Sequence, residues 1–173
     1  MKKFFYKSNK KNINEKGFTL VEVLIACFII SVTTLALMSA ASKGIELSSR
    51  ALRQAQASMI AEEGVEAVKI IRDADWNTIS SLSLDTDYYL SFYTGSNTWS
   101  LQTTPSTNPA TPIDDRFTRT IVFSAVYRDS NDDIASSGTL DSGTKRVIVD
   151  TSWQSQGETI SKSITFYVSD IFN

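Results

Sequence analysis

Few residues in this chain of 173 have the chemistry of a reactive site. Histidine is absent and Cys27 is the single cysteine, which excludes His-based acid–base catalysis, a Cys/His dyad, a Cys/His zinc site and any disulfide within one chain. No phosphate-binding glycine loop, nucleophile elbow or paired-acid signature occurs. The residue that stands out is Glu22, in "GFTLVEVLIAC", residues 17–27. A lone carboxylate in an apolar helix costs roughly 3 kcal/mol on insertion scales, so Glu22 needs a proton or a cation close by. Two other acidic groups are weaker candidates. Asp129, Asn131 and Asp133 alternate in "RDSNDDIASSGTLDSG", residues 128–143, a pattern able to offer oxygens to calcium. The sixth position of that stretch is Ile134 and the twelfth Leu140, where an EF-hand needs glycine and glutamate; an EF-hand is excluded and a solvated turn is the better reading. Glu62, Glu63 and Glu66, followed by Lys69 and Arg72, are read as the wet side of a helix, with acids preceding bases as the helix dipole prefers.

Glu22 must be positioned by the run "FTLVEVLIACFIISVTTLALMSAA", residues 18–41, in which it is the only charge. These twenty-four residues make a helix of about 36 Å, enough to cross a hydrocarbon layer of about 30 Å. No proline interrupts the next stretch, so the helix is expected to continue as an amphipathic segment over residues 42–72. At 100° per residue Ile45, Leu52, Ala55, Met59, Ile60, Ala67, Ile70 and Ile71 gather on one face, the expected packing face. Gly44 and Gly64 each weaken that helix by about 1 kcal/mol relative to alanine, and Gly44 is the likelier bend. From residue 73 to 173 the pattern changes to short alternating runs. "DYYLSFYT" and "TWSLQ" read as a hairpin, residues 103–112 as a proline-containing loop, and residues 116–127, 145–153 and 159–168 as strands. Such runs suit an antiparallel sheet with one packed and one wet face. Most of the aromatics at 76, 88, 89, 93, 99 and 153 are assigned to the core. The fold class is α+β: a long amino-terminal helix packed on an antiparallel β-sheet head.

Charge orients the chain. Residues 1–17 hold six lysines against one glutamate (+5), leaving eleven bases and eighteen acids (−7) over residues 18–173. A basic start before an apolar run places the amino end in the cytoplasm and the rest across the membrane, and the acidic remainder argues against binding nucleic acid. Three readings of the amino terminus compete. A secretory signal cut near "SAA", residues 39–41, conflicts with Glu22, with the length of the run and with the helix that follows unbroken. A lipobox at "LIAC", residues 24–27, would leave most of the apolar run behind as a redundant second anchor; Cys27 is better read as a small structural hydrophobe.

The third reading covers the most residues. "KGFTLVEVLIA" after a short basic leader resembles the class III signal of type IV pilins and pseudopilins. The resemblance implies a pilin-like fold and cleavage by a prepilin peptidase between Gly17 and Phe18, with N-methylation of Phe18. It also implies that Glu22, fifth in the mature chain, pairs with the Phe18 amine of a neighbouring subunit. Pairing a carboxylate with an amine inside a low-dielectric bundle penalises wrong registers, because an unpaired partner there costs about 3–5 kcal/mol. Further implied partners are other pilin subunits in a helical filament, the pilus assembly platform and, before assembly, membrane lipid. No cofactor is implied, apart from calcium, which some pseudopilins bind in head loops. The head is similar in pattern to minor pilins of the PilV-like or type II secretion I-type group through "AEEGVEAVKIIRDADW" and "KRVIVDTSW". Two departures are the lack of a disulfide and the lack of a proline in the membrane half of the helix. The resulting expectation is a non-enzymatic filament subunit, a minor one by its irregular head, held in the cytoplasmic membrane and then in an extracellular or periplasmic filament. The alternative is an uncut, membrane-anchored binding protein or adhesin.

Overall fold

The structure is a computed structural model that describes residues 17–171. Residues 1–16, the expected leader apart from its last residue Gly17, lie outside the described residues. Helix α1 (Leu20–Ala74) is followed by a short helix α2 (Trp76–Ser80) and by six strands: β1 (Asp87–Tyr93), β2 (Thr98–Gln102), β3 (Phe117–Arg128), β4 (Ile134–Ala135), β5 (Thr139–Ser155) and β6 (Glu158–Ser169). By its internal contacts the chain divides into two compact units, residues 1–48 and 49–173.

In the first unit the apolar run is helical from Leu20 and its large side chains face outward: Leu24, Phe28, Ile30, Leu35 and Leu37 are all more than half exposed. Its hydroxyl groups are absorbed by the helix itself. Ser31 donates to the Cys27 carbonyl (2.8 Å), Thr34 to that of Ile30 (2.8 Å) and Ser42 to that of Met38 (2.9 Å), so these polar side chains ask nothing of an apolar surrounding. Gly44 does not interrupt the helix.

The second unit packs residues 49–74 of α1 onto one face of the sheet, whose order is β2-β1-β3-β5-β6 with β4 beside the end of β3. All pairings are antiparallel, and β3 and β5 form its centre, Phe117 opposite Trp153 and Ile121 opposite Val149. Alternation along β3 and β5 sends Phe117, Ile121, Phe123, Val147, Val149 and Trp153 into the core, as their period of two predicts. The helix meets them with Ala57, Ala61, Gly64, Ala67, Val68 and Ile71. Asp75 ends α1 by capping α2, its carboxylate accepting the Asn77 N–H at 3.0 Å.

The packed face of α1 corrects the expected one. Ala67 and Ile71 are buried and Ile60 half-buried, but Ile45, Leu52, Met59 and Ile70 are 70%, 61%, 70% and 52% exposed, and Ala55 is exposed too. A periodicity weighted by side-chain size selects the bulky residues, whereas a helix lying close on a sheet selects small ones that let the backbones approach. Gly64 shows the constraint: a Cβ there would stand 2.8 Å from Val149 Cγ1 and 3.0 Å from Arg119 Cδ.

The hairpin of β1 and β2 follows the expected segments, with Tyr93 opposite Thr98. β5, however, begins at Thr139 rather than 145, and residues 134–135 form β4, so the stretch 128–143 is half strand and not one solvated loop. Of the aromatics assigned to the core, Tyr88 and Trp153 are buried, Trp76, Tyr89 and Trp99 half-buried, and Tyr93 exposed.

Candidate processing and assembly site

Gly17 and Phe18 lie in the non-helical stretch just before α1, and both are exposed. Phe18 is 81% exposed, and among the described residues, its chain neighbours aside, no atom stands within 4 Å of where a Cβ on Gly17 would be. Thr19 begins the helix. Its Oγ1 accepts the Glu22 N–H at 3.3 Å and its carbonyl accepts the Val23 N–H at 3.2 Å, which makes it the N-cap and puts Glu22 three residues into the first turn. "TLVE" has the Thr-x-x-Glu spacing of a capping box, a signal the reading of the apolar run passed over. An acidic residue in the first turn also faces the positive end of the helix dipole. Gly17, Phe18 and Glu22 thus fall together within two turns of chain, with an accessible peptide bond between the first two and an exposed carboxylate beyond the cap. Cys27 is exposed on the same helix and carries a free thiol.

Residues 12–38 match the protein family described as "Prokaryotic N-terminal methylation motif". The chain carries the prepilin-type amino terminus of the type IV pilin and pseudopilin superfamily. No curated protein and no solved structure matches the chain. The match spans Gly17, Phe18, Glu22 and the first part of a helix long and apolar enough to cross a membrane, and the two together fit an anchor in the cytoplasmic membrane. A long amino-terminal helix with an antiparallel sheet is the α+β arrangement expected of a pilin-like fold.

Elsewhere in the chain, the candidate calcium residues sit in a tight turn. The Asp129 carboxylate accepts the N–H groups of Asn131 (2.8 Å) and Asp133 (3.1 Å), an Asx-type turn that turns Asp129 onto its own backbone. Among the described residues no three of His, Cys, Asp or Glu are grouped to hold a metal ion. The same turn is stitched from below by Arg128, which donates to Asp141 Oδ2 (2.7 Å) and to the Asp132 carbonyl (2.8 Å). The hydrogen bond from Arg128, with further ones from Thr144 and Gly143, holds the Asp141 carboxyl below the usual carboxylate range.

The acid-rich side of α1 is as expected at Glu66, which pairs with Lys69 at 2.8 Å. Glu63 is different. It accepts from Arg119 at 2.8 Å, and the Arg119 side chain, only 2% exposed, also donates to the Ile60 carbonyl at 2.9 Å. Arg119 sits at an inward position of β3 between Phe117 and Ile121, where alternation calls for an apolar residue; that misfit in "RFTRTIVF" was the available signal for it.

Proposed function

We propose that this prepilin is a filament subunit, cut by a prepilin peptidase between Gly17 and Phe18, N-methylated on Phe18 and assembled through α1. Removing the leader leaves a cationic amine on Phe18 one turn before the Glu22 carboxylate. In the membrane Glu22 pairs with that amine, and in the filament it meets the amine of the next subunit and sets the stagger. Its work is assembly rather than catalysis. The observation that carries this reading is the division of α1 in the second unit: small residues are spent on its own sheet while Leu52, Met59 and Ile70 are left facing out. An uncut anchor for a surface receptor has no use for bulky apolar side chains on a helix in water; a bundle of helices does.

The test is intact mass and amino-terminal sequencing after co-expression with a prepilin peptidase, followed by assay of incorporation into filaments. The expected chain starts at N-methyl-Phe18, and Glu22→Ala is cut but not incorporated. A chain that keeps Met1, or that begins at a lipid-modified Cys27 or at Ser42, sinks the reading. The membrane-anchored adhesin predicts no cut and no effect of Glu22→Ala.

A further inference from the structure

One cleft in the second unit is basic and lined by no acidic residue. It lies between α1 and the edge strand β6, encloses about 190 Å³, and has Trp153 and Ile160 as apolar walls with Arg50, Arg53 and Lys162 around them. Arg50 is engaged with Gln156. Arg53 donates to the Ser49 carbonyl but meets no carboxylate among the described residues, and neither does Lys162. Asp114, Asp115 and Glu158 occupy the same end of the sheet without lining the cleft.

The register fixes where this cleft stands relative to the acidic turn. Trp153 is opposite Phe117 at the start of β3 and opposite Ile160 near the start of β6. The turn of Asp129, Asp132 and Asp133 follows Arg128 at the other end of β3, twelve residues or about 36 Å away. Asp129 is spent inside the turn, but Asp132, 85% exposed and held only loosely by Arg128 at 3.7 Å, and the exposed Asp133 present their carboxylates outward. One end of the sheet therefore offers unpaired cations beside an apolar wall, and the other offers carboxylates on a rigid turn.

We propose that these two ends dock on each other between copies: Asp132 and Asp133 of one chain enter the Arg53–Lys162 cleft of the next. The contact is heterologous and does not close on itself, the kind that propagates a filament, and its charges set register and partner choice. It rests on the filament reading and deepens it, since it needs copies of this chain in succession. It thereby departs from the expectation of a minor subunit.

The experiment uses the full chain, co-expressed with prepilin peptidase and the assembly machinery, with Cys27→Ala as background. Ser130→Cys and Ser161→Cys, one at each end of the contact, are oxidised in assembled filaments. The expected result is a ladder of cross-linked copies, lowered about five-fold or more by Lys162→Glu and restored when Asp132→Lys and Asp133→Lys are added to it. Thermal unfolding of Lys162→Glu matches the parent chain, because the side chain is exposed. Filaments that contain the chain but give no ladder, a ladder indifferent to Lys162→Glu, or a cross-link to another protein overturns the docking and leaves the filament reading standing. A chain that is not cut or not incorporated removes that reading and the docking with it.

Discussion

Gly64 and Val149 approach so closely that a β-carbon on the glycine would stand 2.8 Å from Val149 Cγ1. Val149 is fully buried and β-branched, so its χ1 is restricted and it has little room to retreat. Gly64→Ala gains about 1 kcal/mol of helix propensity and loses about 1–3 kcal/mol to overpacking. The net expectation is a destabilised second unit. Gly44→Ala, where among the described residues nothing beyond its own turn of helix lies within 4 Å, keeps only the gain. Thermal unfolding of the two variants in detergent should move in opposite directions; a stabilised Gly64→Ala would mean that helix and sheet are less tightly apposed.

Arg119 and Glu63 form an unequal pair, the cation almost wholly buried and the carboxylate half exposed. Removing the carboxylate leaves a buried charge with only the Ile60 carbonyl, whereas removing the cation leaves a carboxylate that reaches water. Glu63→Ala is therefore expected to cost about 2 kcal/mol, unusual for an exposed helix position, and Arg119→Met to cost less. Urea unfolding of both single variants and the double variant checks the order, and the reverse order refutes it.

The two faces of α1 in the second unit should respond oppositely to charge. Met59→Lys, on the outward face, is expected to leave stability within about 0.5 kcal/mol and to block incorporation into filaments. Ala61→Lys, on the face against the sheet, is expected to unfold the second unit outright, since Ala61 is fully buried. Circular dichroism read beside the filament assay separates a folding defect from an assembly defect. Normal incorporation of Met59→Lys would count against the outward face as an assembly surface.

Asp141 makes the turn at residues 129–133 sensitive to acid. Its carboxyl is lowered in the fold, first by the hydrogen bond from Arg128. Its contribution is therefore complete above the unfolded carboxylate value, about 3.9, and is lost as the pH falls through the lower folded value. Arg128, raised by the same bond, stays charged throughout. Wild type should lose more stability between pH 5 and pH 2 than Asp141→Asn, measured by denaturant unfolding at both ends. Equal losses would mean that the pair contributes nothing to the acid response.

The sequence by itself determined the amino-terminal half of the story. The motif around Gly17, Phe18 and Glu22, the apolar run and the basic start are contiguous, so a match over residues 12–38 and a membrane-length helix are legible from neighbours a few residues away. The α+β class and four of the longer strands were legible for the same reason, because alternation is local. The tertiary structure decided what depends on distance between segments far apart in the chain. Which face of α1 is buried, the need for glycine at 64 and the inward placing of Arg119 all follow from how close β3 and β5 come to the helix, 56 residues on for the Arg119–Glu63 pair. Hydrophobicity ranks side chains by size, but a close helix–sheet contact rewards their absence, and no local pattern carries that information. The same holds for the two charged ends of the sheet, which only the strand register places at opposite ends of β3.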